Sequence, residues 1–299
     1  MTETGQAQTI TEFFEQSINL HSKESMAYAK SFKTRSSDIF IATFPKAGTT
    51  WMQQICHGLR TKGDMNFDEI THVVPWIEMA HLLNIDINGE QIGKPRCFKS
   101  HDNWNDIAKN ARYIYLIRNP FDSAVSMYNF LNGWFLKKDS IDLNDFVPAV
   151  FAADYEQRGY WQHLLSWCHQ RENTNILFIN YESMKNDLSS SVKRVAEFMG
   201  INDPEAINIA TIQSHFDFMN AHNNQFDDHI VAEAINSRAG FPPDACTSKV
   251  QLGLVGAYKQ VLNDDNCRLL DHIWKHTIEK KLGFSSYDDL INDLDNSQK

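Results

Sequence analysis

The chain has 299 residues and a formal net charge of −10; 42% of its residues are hydrophobic and 22% are charged. This composition is typical of a folded globular protein and excludes a disordered chain, a collagen-like fibre and a disulfide-stapled miniprotein. The acidic balance argues against nonspecific nucleic-acid binding, which requires a basic surface, and at first sight against any polyanionic ligand.

Residues 1–36 form a polar lead-in with a short predicted helix, and strands alternate with helices from residue 38 onward. Runs of β-branched and aromatic residues predict strands that are buried on both faces. The predicted strands cover 39–44, 96–100, 113–117 and 176–179, and the first and third are followed by predicted helices over 49–60 and 121–130. This alternation predicts an α/β fold with a mainly parallel sheet flanked by helices.

Two further helices are predicted from apolar residues at i, i+3, i+4 and i+7. These residues are Trp161, Leu164, Leu165 and Cys168 in the first helix and Val192, Val195, Ala196 and Met199 in the second, which Gly200 ends. No linker separates two domains, so we expect one domain over 37–299. Its core is expected at 38–200, with a helical, loop-rich cover at 201–299.

The cysteines and the amino terminus indicate the compartment. The five cysteines are scattered and form no Cys-x-x-Cys pair, so neither a disulfide framework nor a zinc site is indicated. The amino terminus has no signal-peptide pattern, and no apolar run approaches the ~20 residues that span a bilayer. We therefore expect a cytoplasmic protein with no membrane partner.

The most informative segment is Phe44-Pro-Lys-Ala-Gly-Thr-Thr-Trp51, between a predicted strand and a predicted helix. In open α/β sheets this junction binds ligands. Gly48 permits close approach of the backbone, Thr49 and Thr50 offer hydroxyls and helix amino-terminal amides, and Lys46 adds a charge. These features predict a phosphate cradle, although a capped strand-to-helix turn has the same pattern. Because the lysine precedes the glycine, a Walker-type Mg²⁺ site is not implied.

This segment resembles the Pro-Lys-Ser-Gly-Thr-Thr-Trp signature of the cytosolic-type sulfotransferases, with Ala47 in place of the serine. That family uses 3′-phosphoadenosine 5′-phosphosulfate (PAPS) and releases the desulfated product PAP. The resemblance covers about residues 38–240. It implies a P-loop-NTPase-like sulfotransferase fold, and contacts from residues 46–50 to the 5′-phosphate and from Trp51 to the adenine.

Lys99-Ser-His101 ends the second predicted strand, where the family carries Lys-Thr-His with a catalytic histidine. A histidine at a strand end is often only structural, so its position in the chain decides. Its pKa near neutrality suits it to accept a proton from an attacking hydroxyl. The resemblance implies that Lys46, Lys99 and His101 are catalytic.

Three other elements resemble nucleotide-binding segments of the family. Arg118 and Ser126, eight residues apart, match its 3′-phosphate element, and an arginine suits bidentate phosphate binding. Tyr181, with Ser214 and Phe216 in a Ser-x-Phe-x-x-Met element, matches its adenine contacts. Each also has an ordinary structural explanation, as a strand-end ion pair or as a core aromatic.

Arg238-Ala-Gly240 resembles the late Arg-Lys-Gly element that closes over the 3′-phosphate, with Ala239 replacing the lysine. The family's usual Gly-Asp-Trp-Lys continuation is replaced by Phe241-Pro-Pro-Asp-Ala-Cys-Thr-Ser-Lys249, and its short dimerisation motif cannot be recognised. A homodimer is therefore left open.

Charge is unevenly distributed along the chain. Residues 91–120 carry six Lys or Arg against two Asp, whereas 201–240 carry one Arg against six Asp or Glu. Because salt screens charges beyond ~10 Å, the local balance governs binding of a small anion. The acidic net charge still argues against nucleic-acid partners. It does not argue against PAPS, because residues 91–120 are locally basic.

We expect metal-independent sulfuryl transfer from PAPS to a hydroxyl or amine of a small-molecule acceptor, with His101 as general base and Lys46 stabilising the leaving group. Two alternatives remain: a nucleotide-dependent phosphoryl transferase on a related fold, and a noncatalytic PAP-binding module. Apolar side chains suit an acceptor pocket but also suit a core: Trp76, Met79, Leu82, Trp134 and Phe135. The acidic stretch 226–233 is compatible with a cationic acceptor or with a solvated helix face.

Overall fold

A computed structural model of the chain describes residues 5–17, 22–247, 249 and 253–297. Four parallel strands form one sheet in the order β2-β1-β3-β4. The strands are β1 Ile39–Thr43, β2 Cys97–Ser100, β3 Arg112–Ile117 and β4 Ile176–Asn180. Each lies within one residue of its predicted bounds, because strands buried on both faces carry a continuous apolar signal.

Helices flank this sheet. They are α1 Ile10–Ser17, α2 Lys23–Lys30, α3 Thr49–Thr61, α4 Ile70–Val73, α5 Pro120–Leu131, α6 Leu143–Phe146, α7 Tyr160–Cys168, α8 Tyr181–Asn186, α9 Leu188–Met199, α10 Pro204–Gln213, α11 Phe216–Ala221, α12 His229–Ala239, α13 Asp264–Trp274, α14 Lys280–Leu282 and α15 Tyr287–Ser297. The helices predicted after the first and third strands are α3 and α5, and the two predicted apolar faces lie on α7 and α9. Gly200 ends α9 at a φ of 76°.

The sheet separates two apolar layers, as the alternation of side chains along a strand requires. Ile39 and Ile41 of β1 pack in one layer with apolar residues of α3 and α9. Phe40 and Ala42 face the other layer, which contains the large aromatic side chains of α7. The chain is therefore a single α/β domain in which helices cover both faces of a parallel sheet.

The amino-terminal lead-in packs into this domain. Ala7 and Phe13 are buried. The backbone amide of Ala7 donates to the Phe135 carbonyl at 2.9 Å, and the Lys137 amide donates to the Ala7 carbonyl at 2.8 Å. The predicted division of the chain at residue 37 remains a prediction. In the part of the chain that the structure describes, each helix is too short or too polar to cross a membrane.

The carboxyl ends of all four strands lie at one edge of the sheet, and each is followed by a segment singled out in the sequence. The loop 44–48 follows β1, His101 follows β2, Arg118 follows β3 and Tyr181 follows β4. β1 lies between β2 and β3, so the chain connections diverge on either side of it. Open α/β sheets bind ligands at such a switch point.

Candidate active site

The loop between β1 and α3 has an unusual backbone. Lys46 has a φ of 72° and Gly48 a φ of 102°, both in the left-handed region. A Cβ atom on Gly48 would lie 2.9 Å from the Tyr181 ring, so a glycine is required there for two reasons. Ala47 is buried against the core, which turns its neighbours outward. Lys46, Gly48, Thr49, Thr50 and Trp51 line a cavity at the carboxyl edge of the sheet.

Hydrogen bonds hold His101 against this loop. Its Nδ1 lies 2.8 Å from the Thr43 carbonyl oxygen and 3.2 Å from the Thr43 hydroxyl, which lies 2.6 Å from the Thr49 hydroxyl. Because a carbonyl oxygen only accepts, Nδ1 carries the proton and Nε2 is the acceptor nitrogen. Burial, reinforced by the Lys99 ammonium, lowers the pKa of His101 well below its usual value. The imidazole is therefore neutral near pH 7 and suited to accept a proton.

Glu78, which the sequence analysis did not single out, fixes the backbone at His101. Its carboxylate accepts hydrogen bonds from the His101 amide, at 3.2 Å, and from the Ser100 hydroxyl. Burial and the nearby Asp102 carboxylate raise the pKa of Glu78 to about 7. Glu78 follows Trp76, whose ring packs edge-on to His101 at a centroid distance of 5.2 Å.

Two lysines predicted to be catalytic line the same cavity. The Lys46 ammonium lies 3.9 Å from the centre of the Phe130 ring, and the Lys99 ammonium lies 3.7 Å from that of Trp76. Burial, with repulsion from Lys99 and Arg118, lowers the pKa of Lys46 to about 7. Burial also lowers the pKa of Lys99 to about 8. An anion that enters the cavity favours the charged ammonium forms and so raises the pKa of both lysines.

Arg118 and Ser126 lie on the opposite side of the loop and also line the cavity. An Arg118 Nη1 hydrogen donates to the Lys46 carbonyl at 3.0 Å, and the guanidinium lies 4.4 Å from the centre of the Tyr181 ring. The buried Nε of Arg118 has no hydrogen-bond partner among the described residues. Buried polar groups are nearly always satisfied, so this donor fits an anionic ligand such as a phosphate.

Aromatic residues form the next part of the wall. Trp51 packs edge-on to Tyr181 at 5.6 Å, and its indole donates to the Ser214 carbonyl at 2.7 Å. The buried Ser214 hydroxyl has no partner within the described residues. Phe216 lines the same region. A flat base with polar edges suits this arrangement of ring faces and a free hydroxyl.

The cavity has a volume of about 610 Å³, and part of its wall is formed by apolar side chains. Trp76, Met79, Trp134 and Phe135, four of the candidate acceptor residues, line it, whereas Leu82 packs against the core. Within the acidic stretch 226–233, Asp228 reaches the cavity, where it is paired with Lys249.

The structure does not bring Arg238, Ala239 and Gly240 to the lining of this cavity. Arg238 and Ala239 end α12, and Gly240 caps that helix at a φ of 71°. Arg238 is exposed. The helix continues through Ala239, so this segment is not part of the cavity lining and its expected phosphate role stays a prediction.

A later segment reaches the cavity in its place, through Gly253, Leu254 and Ala257. The signal was present in Gly256-Ala-Tyr-Lys259, which has the spacing of the family's Gly-Asp-Trp-Lys but lacks its aspartate and tryptophan. Sequence reasoning also missed further lining residues: Asp122, Lys185, Asp228 and Lys249. Among the described residues, no group of three His, Cys, Asp or Glu side chains is placed to hold a metal ion.

Comparison with known proteins places the chain in a wider context. Residues 36–283 match the family model described as Sulfotransferase domain. Sulfotransferase 2A2 of Rattus norvegicus is 31% identical over 203 residues, which is 65% of this chain and 70% of the relative. Sulfotransferase 2A1 of Rattus norvegicus is 26% identical over 262 residues, 85% of this chain and 87% of the relative.

Solved structures share the fold. A mouse sulfotransferase, SULT7A1, complexed with PAP has a TM-score of 0.65 and 23% identity, covering 88% of this chain and 92% of that one. Retinol dehydratase in complex with androsterone and the inactive cofactor PAP has a TM-score of 0.65 and 20% identity, covering 85% of each chain.

Proposed function

The chain belongs to the sulfotransferase family, and we propose that it transfers a sulfuryl group from PAPS to a hydroxyl or amine of a small, largely apolar acceptor. The observation that carries the proposal is the tautomer of His101: its Nδ1–H is bound to the Thr43 carbonyl, which leaves Nε2 as a base in the cavity that Lys46 and Lys99 also line. PAPS supplies an activated sulfuryl group.

The residues of the cavity fit this donor. The amides and hydroxyls at Gly48 to Thr50 suit its 5′-phosphate, and Arg118 with Ser126 suits its 3′-phosphate. Trp51, Tyr181, Ser214 and Phe216 suit its adenine. The unpartnered Arg118 Nε and Ser214 hydroxyl support this assignment, since each lacks the partner that a buried polar group normally has.

In the proposed reaction His101 Nε2 accepts the proton of the acceptor hydroxyl as the acceptor oxygen bonds to sulfur. The bond between sulfur and the bridging oxygen breaks, and PAP leaves with both electrons of that bond. Lys46 stabilises the negative charge that develops on this oxygen. Lys99, between Trp76 and the cavity, orients the reacting groups. Positioning and electrostatics supply the catalysis, as in phosphoryl transfer.

The apolar part of the cavity wall, which includes Trp76, Met79, Trp134 and Phe135, supports a hydrophobic acceptor, because ligand pockets are lined mainly by apolar groups with a few polar ones that orient the ligand. The pairing of Asp228 with Lys249 removes the negative charge that a cationic acceptor would require. We therefore expect phenols and apolar alcohols to be better acceptors than amines.

The test is PAP release from PAPS with a panel of phenols, alcohols, amines and sugars. His101→Ala should lower turnover by ~10²–10⁴-fold, the usual loss for a general base, while PAP binding persists. The exposed His276, changed to alanine, is the matched control and should keep full turnover. Near-normal turnover of a folded His101→Ala protein contradicts the role of this histidine. Tight PAP binding without transfer to any acceptor favours a binding module instead.

A further inference from the structure

Lys249 brings a third lysine into the cavity from the carboxyl-terminal part of the chain. Its ammonium is paired with the Asp228 carboxylate, and both side chains are buried, with exposed fractions of 9% and 3%. Both residues line the cavity that contains His101. No sequence motif pointed to Lys249, which lies 150 residues after Lys99.

The three lysines converge on one region. The ammonium groups of Lys46 and Lys249 lie around the Phe130 ring, at 3.9 and 5.8 Å from its centre. The charges of Lys99 and Lys46 both act on Lys249. The charged groups near Lys249 are therefore the cations Lys46 and Lys99 and the carboxylates Asp228 and Glu69.

Without a ligand, the proximity of the three lysines destabilises their charged forms. Burial, with repulsion from Lys99 and Lys46, lowers the pKa of Lys249 well below its usual value. Three ammonium groups that line one cavity repel each other, and an anion bound among them converts that repulsion into attraction. Preorganised cations aimed at one position are the usual means of stabilising a transferred anionic group.

The position of this cluster distinguishes it from the phosphate contacts. Arg118 and Ser126 lie at the β3 side of the loop, whereas Lys99 ends β2, on the other side of β1. Phe130 lines the same cavity, and His101 directly follows β2. Lys99 and Lys249 lie close enough to His101 to lower its pKa, so we place the lysines where donor and acceptor meet.

We propose that Lys249 binds the sulfuryl oxygens of PAPS together with Lys46 and Lys99, and that Asp228 holds Lys249 in position for this contact. The inference rests on the proposed function. It adds a residue from outside the family's motifs to the group that touches the transferred atoms.

The test compares the binding of PAPS with that of PAP, which lacks the sulfuryl group. Lys249→Met should weaken PAPS binding by about 10- to 100-fold, the usual value of a charge-assisted hydrogen bond, and should leave PAP binding within about twofold. Lys275→Met, at an exposed lysine outside the cavity lining, is the control and should change neither. Equal losses for PAP and PAPS, or no loss for either, overturn the inference.

The single variant leaves Asp228 unpaired, so the double variant Asp228→Asn/Lys249→Met guards against misfolding. It should lose the preference for PAPS over PAP in the same way, while Lys249→Arg should keep most of it. A wild-type protein that binds neither nucleotide contradicts the proposed function and this inference with it. A wild-type protein that prefers PAPS, with Lys249→Met keeping that preference, contradicts this inference alone.

Discussion

The buried lysines decide how the site responds to pH. Lys46 has a pKa of about 7 and Lys99 of about 8, both lowered chiefly by burial. In the free protein a large share of Lys46 is therefore neutral at slightly alkaline pH. A bound anion favours the charged ammonium, which raises the pKa of Lys46 in the complex. Anion binding and protonation are thus coupled at this residue.

This coupling predicts proton uptake when PAP binds. At pH 8 the free Lys46 is mostly neutral and the bound Lys46 is charged, so we expect about one proton to be taken up per PAP. Affinity for PAP should fall as the pH rises from 7 to 9, because the free protein must then be protonated on binding. Titration calorimetry in buffers of different ionisation enthalpy measures this uptake.

The control for this experiment is Lys46→Met, which should bind PAP more weakly and take up less than half as many protons as the wild type. A binding heat that is independent of the buffer at pH 8 contradicts the coupling. A Lys46→Met protein with unchanged uptake would assign the proton to another group.

Single residues differ in how readily sequence reveals them. Sequence patterns predicted the positions of Lys46, Lys99, His101 and Arg118 because each lies at or shortly after the carboxyl end of a strand, where chain order fixes spatial position. Lys249 and Asp228 were missed because their pairing depends on how two loops fold across the cavity. Arg238 lies outside the cavity lining, and the two residues that match the family element, Arg238 and Gly240, did not reveal that α12 continues through Ala239.

Among the elements, the loop between β1 and α3 combines a local requirement with a distant one. The left-handed φ at Gly48 belongs to the tight turn into α3, and the motif already indicated that a glycine is needed at this turn. The close approach of Tyr181, which belongs to α8, was not, because it depends on the pairing of β3 with β4. The bounds of the strands were predictable because they depend on local sequence alone: a strand buried on both faces is a continuous run of apolar residues.

Gly48→Ala tests this loop. The left-handed conformation costs about 1–2 kcal/mol with a Cβ atom, and the contact with Tyr181 at 2.9 Å forces the ring to move. We expect a loss of at least tenfold in PAP affinity together with a lower melting temperature. Fluorescence titration and thermal unfolding measure the two effects.

Gly200→Ala is the matched control for this element. Gly200 has a φ of 76°, but its added Cβ meets nothing within 4 Å, and it caps α9 away from the cavity lining. It should lower stability by a similar backbone cost and leave PAP affinity unchanged. If both variants bind PAP equally well, the contact between Gly48 and Tyr181 has no role in the site.

On the scale of the whole molecule, distant parts of the chain complete the cavity. The Asp122 carboxylate, buried on α5, accepts hydrogen bonds from the backbone amides of Gly256 at 2.7 Å and Tyr258 at 3.2 Å. Phe121 packs against Tyr258 with ring centres 4.7 Å apart. These contacts hold the carboxyl-terminal segment 253–258 against the side of the cavity that contains Arg118. Asp122 contributes to the acidic net charge of the chain, but here its carboxylate accepts hydrogen bonds from two backbone amides.

We therefore expect Asp122→Asn to weaken the attachment of the segment 253–258 to the cavity wall. The amide keeps one acceptor oxygen and turns an NH₂ group toward a backbone N–H, so at least one hydrogen bond to a charged group is lost, at a cost of about 1.5–3 kcal/mol. Amide hydrogen exchange at Gly256 and Tyr258 should become at least tenfold faster, and PAP affinity should fall with it. Asp145→Asn, at an exposed position on α6, should alter neither quantity. Faster exchange without any change in PAP affinity would mean that the segment 253–258 borders the cavity without contributing to nucleotide binding.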